Sequence, residues 1–196
     1  MYHFLSGYTA KVAGTETGVK EPQATFSTCF GAPFMPRAPR VYAEMLGRRL
    51  RDHSTHCWLV NTGWQGGEYG VGERMALPYT RAMVNAAVEG DLDKVDFKIE
   101  SAFGLSIPKE CPGVVAQMLD PRNAWKDKAA YDKLAAELRD RFIKNVERFD
   151  APVEVKAAGP RAQASNLERD RKQPGQIRRL WPNGRYLERD PSQPSM

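Results

Sequence analysis

The chain has 196 residues, of which 41% are hydrophobic and 27% are charged, with a formal net charge of +5. These values are typical of a globular protein and exclude a fibrous or wholly disordered one. Apolar runs are short, such as residues 57–60, and fall far below the roughly 20 residues that a membrane-spanning helix needs. The first residues lack a basic region followed by a long apolar stretch, so we expect no secretory signal and a cytoplasmic protein.

Hydrophobic periodicity predicts the elements of the first half. Residues 24–30 alternate apolar and hydroxyl side chains and predict a strand. Residues 39–52 carry apolar side chains at helical spacing and predict an amphipathic helix. Residues 57–63 predict a strand that enters a Gly-rich loop. Residues 80–89 then predict a helix with one apolar face and a glycine C-cap, formed by Met83, Val84, Val88 and Gly90.

The second half adds a strand and the strongest helical pattern. Residues 95–101 alternate and predict a strand with Val95, Phe97 and Ile99 on one face. Apolar residues recur at spacings of three and four over 127–149, which predicts a long helix lying as a lid on the sheet. Together these elements predict an α/β fold, a mixed sheet with peripheral helices.

Beyond residue 158 the composition changes. From Gly159 onward, eight Arg or Lys accompany four Asp or Glu, so the rest of the chain is close to neutral. A near-neutral body argues against a nucleic-acid partner. The tail is rich in Pro, Gln and Arg and lacks periodicity. We therefore expect one domain over 1–158 and a disordered basic tail over 159–196.

The tail contains a near-repeat, LERDRKQP at 167–174 and LERDPSQP at 187–194. Two copies are too few for a solenoid, which needs about three. A duplicated extension, a segment translated past an ancestral stop and a basic docking tail all remain open as explanations.

The cysteines and histidines do not form a metal-binding pattern. Cys29, Cys57 and Cys111 lie far apart without CxxC spacing, and we expect them to be reduced and buried. His53 and His56 could share a helix face, but two ligands without a third favour surface positions. The sequence therefore predicts no metal site.

The Gly-rich loop lies in the stretch NTGWQGGEYGVGERMALPYTR, residues 61–81, which has five glycines between Gly63 and Gly72. Gly-rich loops that lead into helices often bind phosphates. This loop lacks the Gly-Lys-Ser/Thr of a P-loop and the third glycine of a dinucleotide fingerprint. The glycines still allow close approach of a flat ligand, and Arg74 can stack on an aromatic base. The alternative is a mobile surface turn with an exposed arginine.

Several longer stretches of the sequence resemble those of a known enzyme family. The stretches FLSGYTAKVAGTE, FSTCFGAPFMP, YAEML, WLVNTGWQGGEYGVGERMALPYTRAMVNAAVEGDL, FGLSIPKECPGV and LDPRNAW occur in this order. Over residues 2–158 the chain closely resembles the C-terminal portion of ATP-dependent phosphoenolpyruvate carboxykinases. The resemblance implies part of a C-terminal ATP-binding domain. It also implies a carboxy-lyase of gluconeogenesis that converts oxaloacetate and ATP into phosphoenolpyruvate, ADP and carbon dioxide, with Mg²⁺ and Mn²⁺ as cofactors.

The same resemblance implies that Arg74, Met75 and Thr80 bind the adenosine side of ATP. The Arg74 guanidinium could cover the purine, Met75 could give soft apolar contact, and the Thr80 hydroxyl could bond the base or the ribose. Glu73 stands where the family often has lysine. At a solvent-facing position we expect this change to matter by about 1 kcal/mol or less.

The resemblance also implies groups that we do not find in this sequence. In the family the phosphate-binding loop, the metal ligands and the arginines that hold oxaloacetate precede the matched portion. Phosphoryl transfer depends on such charged groups, so we expect no catalytic residues here and an inactive isolated chain. The expected partners are a nucleotide and an N-terminal portion or separate polypeptide that would pack on residues 2–9 and 26–34. A non-catalytic nucleotide-binding or interaction module with the same fold remains the alternative.

Overall fold

The computed structural model describes residues 1–11, 23–60, 63–67 and 69–160. Its helices are α1 (Tyr2–Ser6), α2 (Pro39–Asp52), α3 (Leu77–Val88), α4 (Pro121–Ala124), α5 (Lys128–Val146) and α6 (Val153–Ala157). Its strands are β1 (Tyr8–Lys11), β2 (Gln23–Phe26), β3 (Trp64–Gln65), β4 (Glu73–Arg74), β5 (Phe97–Ile99) and β6 (Ser106–Pro108). The predicted tail over 161–196, including its near-repeat, lies outside the described residues.

The strands pair only with their neighbours in sequence. They form three two-stranded antiparallel sheets, β1 with β2, β3 with β4, and β5 with β6. Helices and small sheets are consistent with the predicted α/β class. In the described part, however, three separate pairs replace the single mixed sheet that the sequence suggested.

The two long helices follow their predicted positions. Helix α2 has the predicted bounds, 39–52. Helix α5 begins after Asp127, whose carboxylate accepts hydrogen bonds from the N–H groups of Ala129 and Ala130. It ends at Val146, a few residues short of the prediction. Helix α5 packs on α1 and α4, and its Arg141 and Phe142 also contact Phe26 of β2. It therefore lies against the β1–β2 pair and against helices, and not over a single large sheet.

The predicted strand over 24–30 is correct only in its first part. Strand β2 ends at Phe26, and the chain then forms a 3-10 turn over Thr28–Phe30. Cys29 and Phe30 there have positive φ angles of 53° and 60°. The turn is closed by a 2.7 Å hydrogen bond from the Phe30 N–H to the Ser27 carbonyl. This local bond replaces the strand that the alternating side chains suggested.

The predicted strand over 57–63 is wrong for the residues that the structure describes. Residues 57–60 have no strand partner, and Leu59 and Val60 are exposed. Cys57 is also exposed, whereas Cys29 and Cys111 are buried as expected. An apolar run becomes a strand only when a neighbouring backbone pairs with it, and none does so here.

The first core cluster joins the two ends of the described chain. Its buried residues are Tyr2, Leu5, Cys29, Ala43, Phe142, Val146, Ala151 and Val155. The Phe142 ring centroid lies 5.2 Å from those of Tyr8 and of Phe26. Burial, with a smaller effect of Glu147, raises the pKa of Tyr2 to about 12. Much of the segment 2–9 therefore packs within the chain, although we expected it to need a missing portion.

A glycine permits the turn from α1 into β1. Gly7 has φ 59° and ψ 42°, in the left-handed region, and its N–H donates to the His3 carbonyl. A Cβ atom on Gly7 would lie 1.7 Å from the Ser27 carbonyl oxygen. The backbone after β2 thus lies directly against this turn, where only glycine fits.

The second core cluster surrounds α3. Its buried residues are Ala86, Leu92 and Cys111, and its partly buried members are Trp58, Met83, Ala87, Val95, Val114 and Leu119. Val84 and Val88 are exposed, so the predicted apolar face of this helix is wrong in two of its three members. The helix ends as predicted, with Gly90 at φ 77°. This cluster anchors the helix that follows the Gly-rich loop.

The strand over 95–101 is observed as the shorter β5, with Phe97 opposite Pro108. Trp58 stacks on Phe97 with ring centroids 5.9 Å apart, but Ile99 is exposed. His56 Nδ1 lies 2.9 Å from Asp93 Oδ1, a surface contact consistent with the non-metal interpretation of this histidine.

Candidate functional site

The Gly-rich loop folds as a β-hairpin. In the pair β3–β4, Trp64 lies opposite Arg74 and Gln65 opposite Glu73. The Met75 N–H donates a 3.0 Å hydrogen bond to the Gly63 carbonyl and extends the pairing. The chain therefore turns back on itself before entering α3, and the loop is not the direct strand-to-helix connection that the sequence suggested.

Four glycines are explained by the hairpin itself. Gly66 and Gly70 have φ angles of 74° and 86°, which non-glycine residues rarely adopt. A Cβ atom on Gly72 would lie 2.4 Å from the Gly67 carbonyl oxygen, and one on Gly67 would lie 2.7 Å from the Gly72 nitrogen. These glycines allow the two sides of the loop to approach each other. Their number is therefore not in itself a sign of bound phosphate.

The three predicted site residues lie where the hairpin leads into α3. Arg74 ends β4 and is exposed, Met75 follows and is half-buried, and Thr80 is half-buried in the first turn of the helix. The Thr80 N–H donates to the Ala76 carbonyl at 3.3 Å. Within the described residues the Arg74 guanidinium has no ion pair or hydrogen bond. The site thus offers an unpaired planar cation, a thioether and a hydroxyl group.

These groups suit binding better than covalent chemistry. A guanidinium can stack on a flat ring and stays charged, a thioether gives dispersion contacts, and a hydroxyl can donate and accept hydrogen bonds. Among the residues described, no three His, Cys, Asp or Glu side chains cluster closely enough to hold a metal ion.

Sequence reasoning missed an aromatic pair beside these residues. The rings of Trp64 and Tyr69 meet edge to face, with centroids 5.2 Å apart and planes at 86°. Trp64 is 38% exposed and Tyr69 48% exposed. The signal that could have found them is the hairpin register, because it places Trp64 opposite Arg74.

The molecule also has a cleft away from the hairpin. It has a volume of about 370 Å³ and is formed by Met1, α2 and the segment containing α6, with Arg48, Arg51, Glu44 and Glu154 in its walls. These side chains carry both charges, and none belongs to the predicted site. No helix in the described ranges is long and apolar enough to cross a membrane.

Comparison with known proteins matches the chain to one family. The family profile described as phosphoenolpyruvate carboxykinase matches residues 1–117. "Phosphoenolpyruvate carboxykinase (ATP) 2" of Moorella thermoacetica is 58% identical over 161 residues, which are 82% of this chain and 31% of that protein. "Phosphoenolpyruvate carboxykinase (ATP)" of Geotalea uraniireducens is 61% identical over 158 residues, 81% of this chain and 30% of that protein.

A similar protein of Brucella suis with the same name is 57% identical over 162 residues, 82% of this chain and 30% of its own length. The chain thus spans about a third of the length of the curated relatives it matches. The family profile covers the hairpin, Arg74, Met75 and Thr80. The chain belongs to the phosphoenolpyruvate carboxykinase family.

Proposed function

We propose that this chain is a segment of an ATP-dependent phosphoenolpyruvate carboxykinase and supplies the adenosine side of its ATP site. The observation that carries the proposal is the exposed Arg74 at the end of the hairpin, whose guanidinium has no hydrogen bond or ion pair with another described residue. Met75 follows it directly, and Thr80 lies in the next helical turn. All three residues belong to the stretch that the family profile matches. The names of the similar proteins from Moorella thermoacetica and Geotalea uraniireducens include ATP as the nucleotide.

In this proposal the chain binds and orients the nucleoside. Arg74 stacks on the purine, Met75 packs against it, and the Thr80 hydroxyl bonds the base or the ribose. Phosphoryl transfer itself needs several cationic groups and metals that neutralise the developing charge. Mg²⁺ and Mn²⁺, when bound in the whole enzyme, would supply that neutralisation. The described residues contribute no metal cluster, so this chain alone is expected to be inactive.

The proposed partner is the remaining portion of the carboxykinase, on the same or a separate polypeptide. Two exposed apolar regions support this. Phe30 and Phe34 follow β2, and Phe34 is 85% exposed. Leu77 begins α3 beside the proposed site, and Val88, which is 81% exposed, ends the same helix. Exposed apolar side chains in such numbers are typical of surfaces that other chain segments cover.

Nucleotide binding tests the proposed site. AMP, ADP and ATP should each shift the amide resonances of residues 74–80 in an NMR titration, with dissociation constants of about a millimolar or weaker. The three affinities should be similar, because the site contacts the nucleoside and not the phosphates. Arg74→Ala should abolish these shifts. Arg49→Ala, which removes an exposed arginine of α2, should leave them unchanged.

Two results would contradict this proposal. One is micromolar affinity with strong preference for ATP over AMP, which would require phosphate-binding groups in this chain. The other is release of carbon dioxide from oxaloacetate by the purified chain alone. Either result would show that the chain carries more of the active site than the adenosine side.

Complementation separates a carboxykinase segment from a non-catalytic binding module. The chain would be co-expressed with the part of the Moorella thermoacetica relative that precedes the matched stretch. A segment should restore ATP-dependent decarboxylation of oxaloacetate, and Arg74→Ala should lower it. Nucleotide binding without restored activity, although the two polypeptides associate, would favour the module.

A further inference from the structure

The hairpin brings Trp64 and Arg74 into an especially close pairing. The hydrogen bond from the Met75 N–H to the Gly63 carbonyl joins the residues that flank this pair. In an antiparallel ladder, hydrogen-bonded and non-hydrogen-bonded pairs alternate. Because Gly63 and Met75 are hydrogen-bonded, the next pair, Trp64 and Arg74, is a non-hydrogen-bonded pair. The Cα atoms of such pairs are about 4.5 Å apart, and their side chains are closer than in the other kind. Directly opposite side chains also project from the same face of the sheet.

The side chains of Trp64 and Arg74 project from the same face of the hairpin, but they form no cation–π contact with each other. In the described part of the chain, the cation–π contact is that of Arg141 over Phe26. The Arg74 guanidinium forms none with the Trp64 indole, and both side chains are exposed. Two flat groups that can each cover an aromatic ring thus stand side by side on one exposed surface.

Tyr69 restrains one of these groups. It lies in the turn of the same hairpin and packs perpendicular to the Trp64 ring, with centroids 5.2 Å apart. Perpendicular aromatic packing is favourable and limits the rotation of the indole. Trp64 still keeps 38% of its surface exposed, so the restrained ring remains accessible to a ligand.

We infer that Trp64 is a second stacking wall of the nucleotide site and that the purine base lies between its indole and the Arg74 guanidinium. The inference rests on the proposed function, and it adds a positioning residue that the sequence did not reveal. Aromatic stacking accepts any base but holds a larger ring better. The pair therefore predicts preference for purine over pyrimidine nucleotides.

The test is an NMR titration of the whole chain with AMP, CMP and ribose 5-phosphate. The sequence contains four tryptophans, and the Trp64→Phe variant identifies the indole N–H resonance of Trp64. AMP should move that resonance upfield through the ring current of the stacked base. Ribose 5-phosphate should leave it in place, and CMP should move it less.

Affinity gives a second measurement. Trp64→Ala should weaken AMP binding by about tenfold, whereas Trp64→Phe, which keeps a ring, should retain most of it. Trp125→Phe is the matched control, because Trp125 packs on Tyr131 outside the hairpin, and it should bind AMP as the unchanged chain does. Unaltered Trp58 and Trp125 resonances in the Trp64 variants will show that the fold is intact.

The outcomes distinguish this inference from the proposed function. If Arg74→Ala abolishes AMP binding and Trp64→Ala does not weaken it, Trp64 is not a wall of the site, and the proposed function stands. If AMP moves neither the Trp64 resonance nor those of residues 74–80 in the unchanged chain, both the inference and the proposed site are wrong.

Discussion

Gly7 has no side chain, and this allows the backbone at Ser27 to pack directly against the turn between α1 and β1. Gly7→Ala would place a side chain in the left-handed region and bring its Cβ to 1.7 Å from the Ser27 carbonyl oxygen. The backbone after β2 would have to move. We expect the free energy of unfolding to fall by about 2 kcal/mol or more, measured by urea denaturation.

Gly70→Ala is the matched control for this substitution. Gly70 also has a positive φ, 86°, but an added Cβ would have nothing within 4 Å. It should cost only the backbone strain, about 1 kcal/mol. Equal losses for the two variants would mean that the contact with the Ser27 carbonyl does not matter.

Sequence patterns alone could not identify all residues of the candidate site. Arg74, Met75 and Thr80 emerged from a resemblance, since an exposed arginine after glycines fits a surface turn equally well. Trp64 did not emerge at all. Its relation to Arg74 depends on the register across β3 and β4, which is set by backbone hydrogen bonds and not by the order of residues.

At the scale of elements, helices were predicted far better than strands. The bounds of α2 follow from its periodicity, because the hydrogen bonds of a helix connect residues close in sequence. Residues 57–60 have a strand-like composition but no partner backbone. The pattern of α3 failed for a related reason. Its inward face is set by Leu92 and Cys111, which belong to other segments.

The start of α5 gives a prediction at this scale. The Asp127 carboxylate accepts hydrogen bonds of 2.9 Å and 3.0 Å from the N–H groups of Ala129 and Ala130. Asp127→Ala should lower the free energy of unfolding by about 1 kcal/mol, because two N–H groups at the helix start lose their acceptor. Asp127→Asn keeps an oxygen there and should cost much less. Thermal unfolding followed by circular dichroism will compare them, and equal losses would exclude capping as the cause.

At the scale of the whole molecule, two core clusters coexist with many exposed apolar side chains. The clusters contain the buried apolar side chains of α1, α2, α3 and α6 and, from α5, Phe142 and Val146. Phe34 and Val88 belong to neither cluster and are largely exposed. The described part of the chain therefore has a packed interior and carries exposed apolar side chains on its surface, which a proposed place within a larger domain would explain.

We expect the isolated chain to self-associate and to bind a hydrophobic dye. Light scattering should give an apparent mass that rises with concentration, because association covers the exposed apolar side chains. The double variant Phe34→Ser, Val88→Ser should associate less and melt at nearly the same temperature, since both residues are outside the clusters. A monodisperse monomer at high concentration without dye binding would contradict this expectation.

The nested arrangement of the two clusters has a consequence for the order of folding. The first cluster joins Tyr2 and Leu5 to Phe142 and Val146, whereas the second lies between residues 58 and 119, inside that span. The entropy cost of closing a loop grows with the length of free chain between its ends. Once the second cluster has formed, less free chain separates α1 from α5, so their docking costs less. Weakening the inner cluster should therefore slow formation of the outer one, although the two share no buried residue.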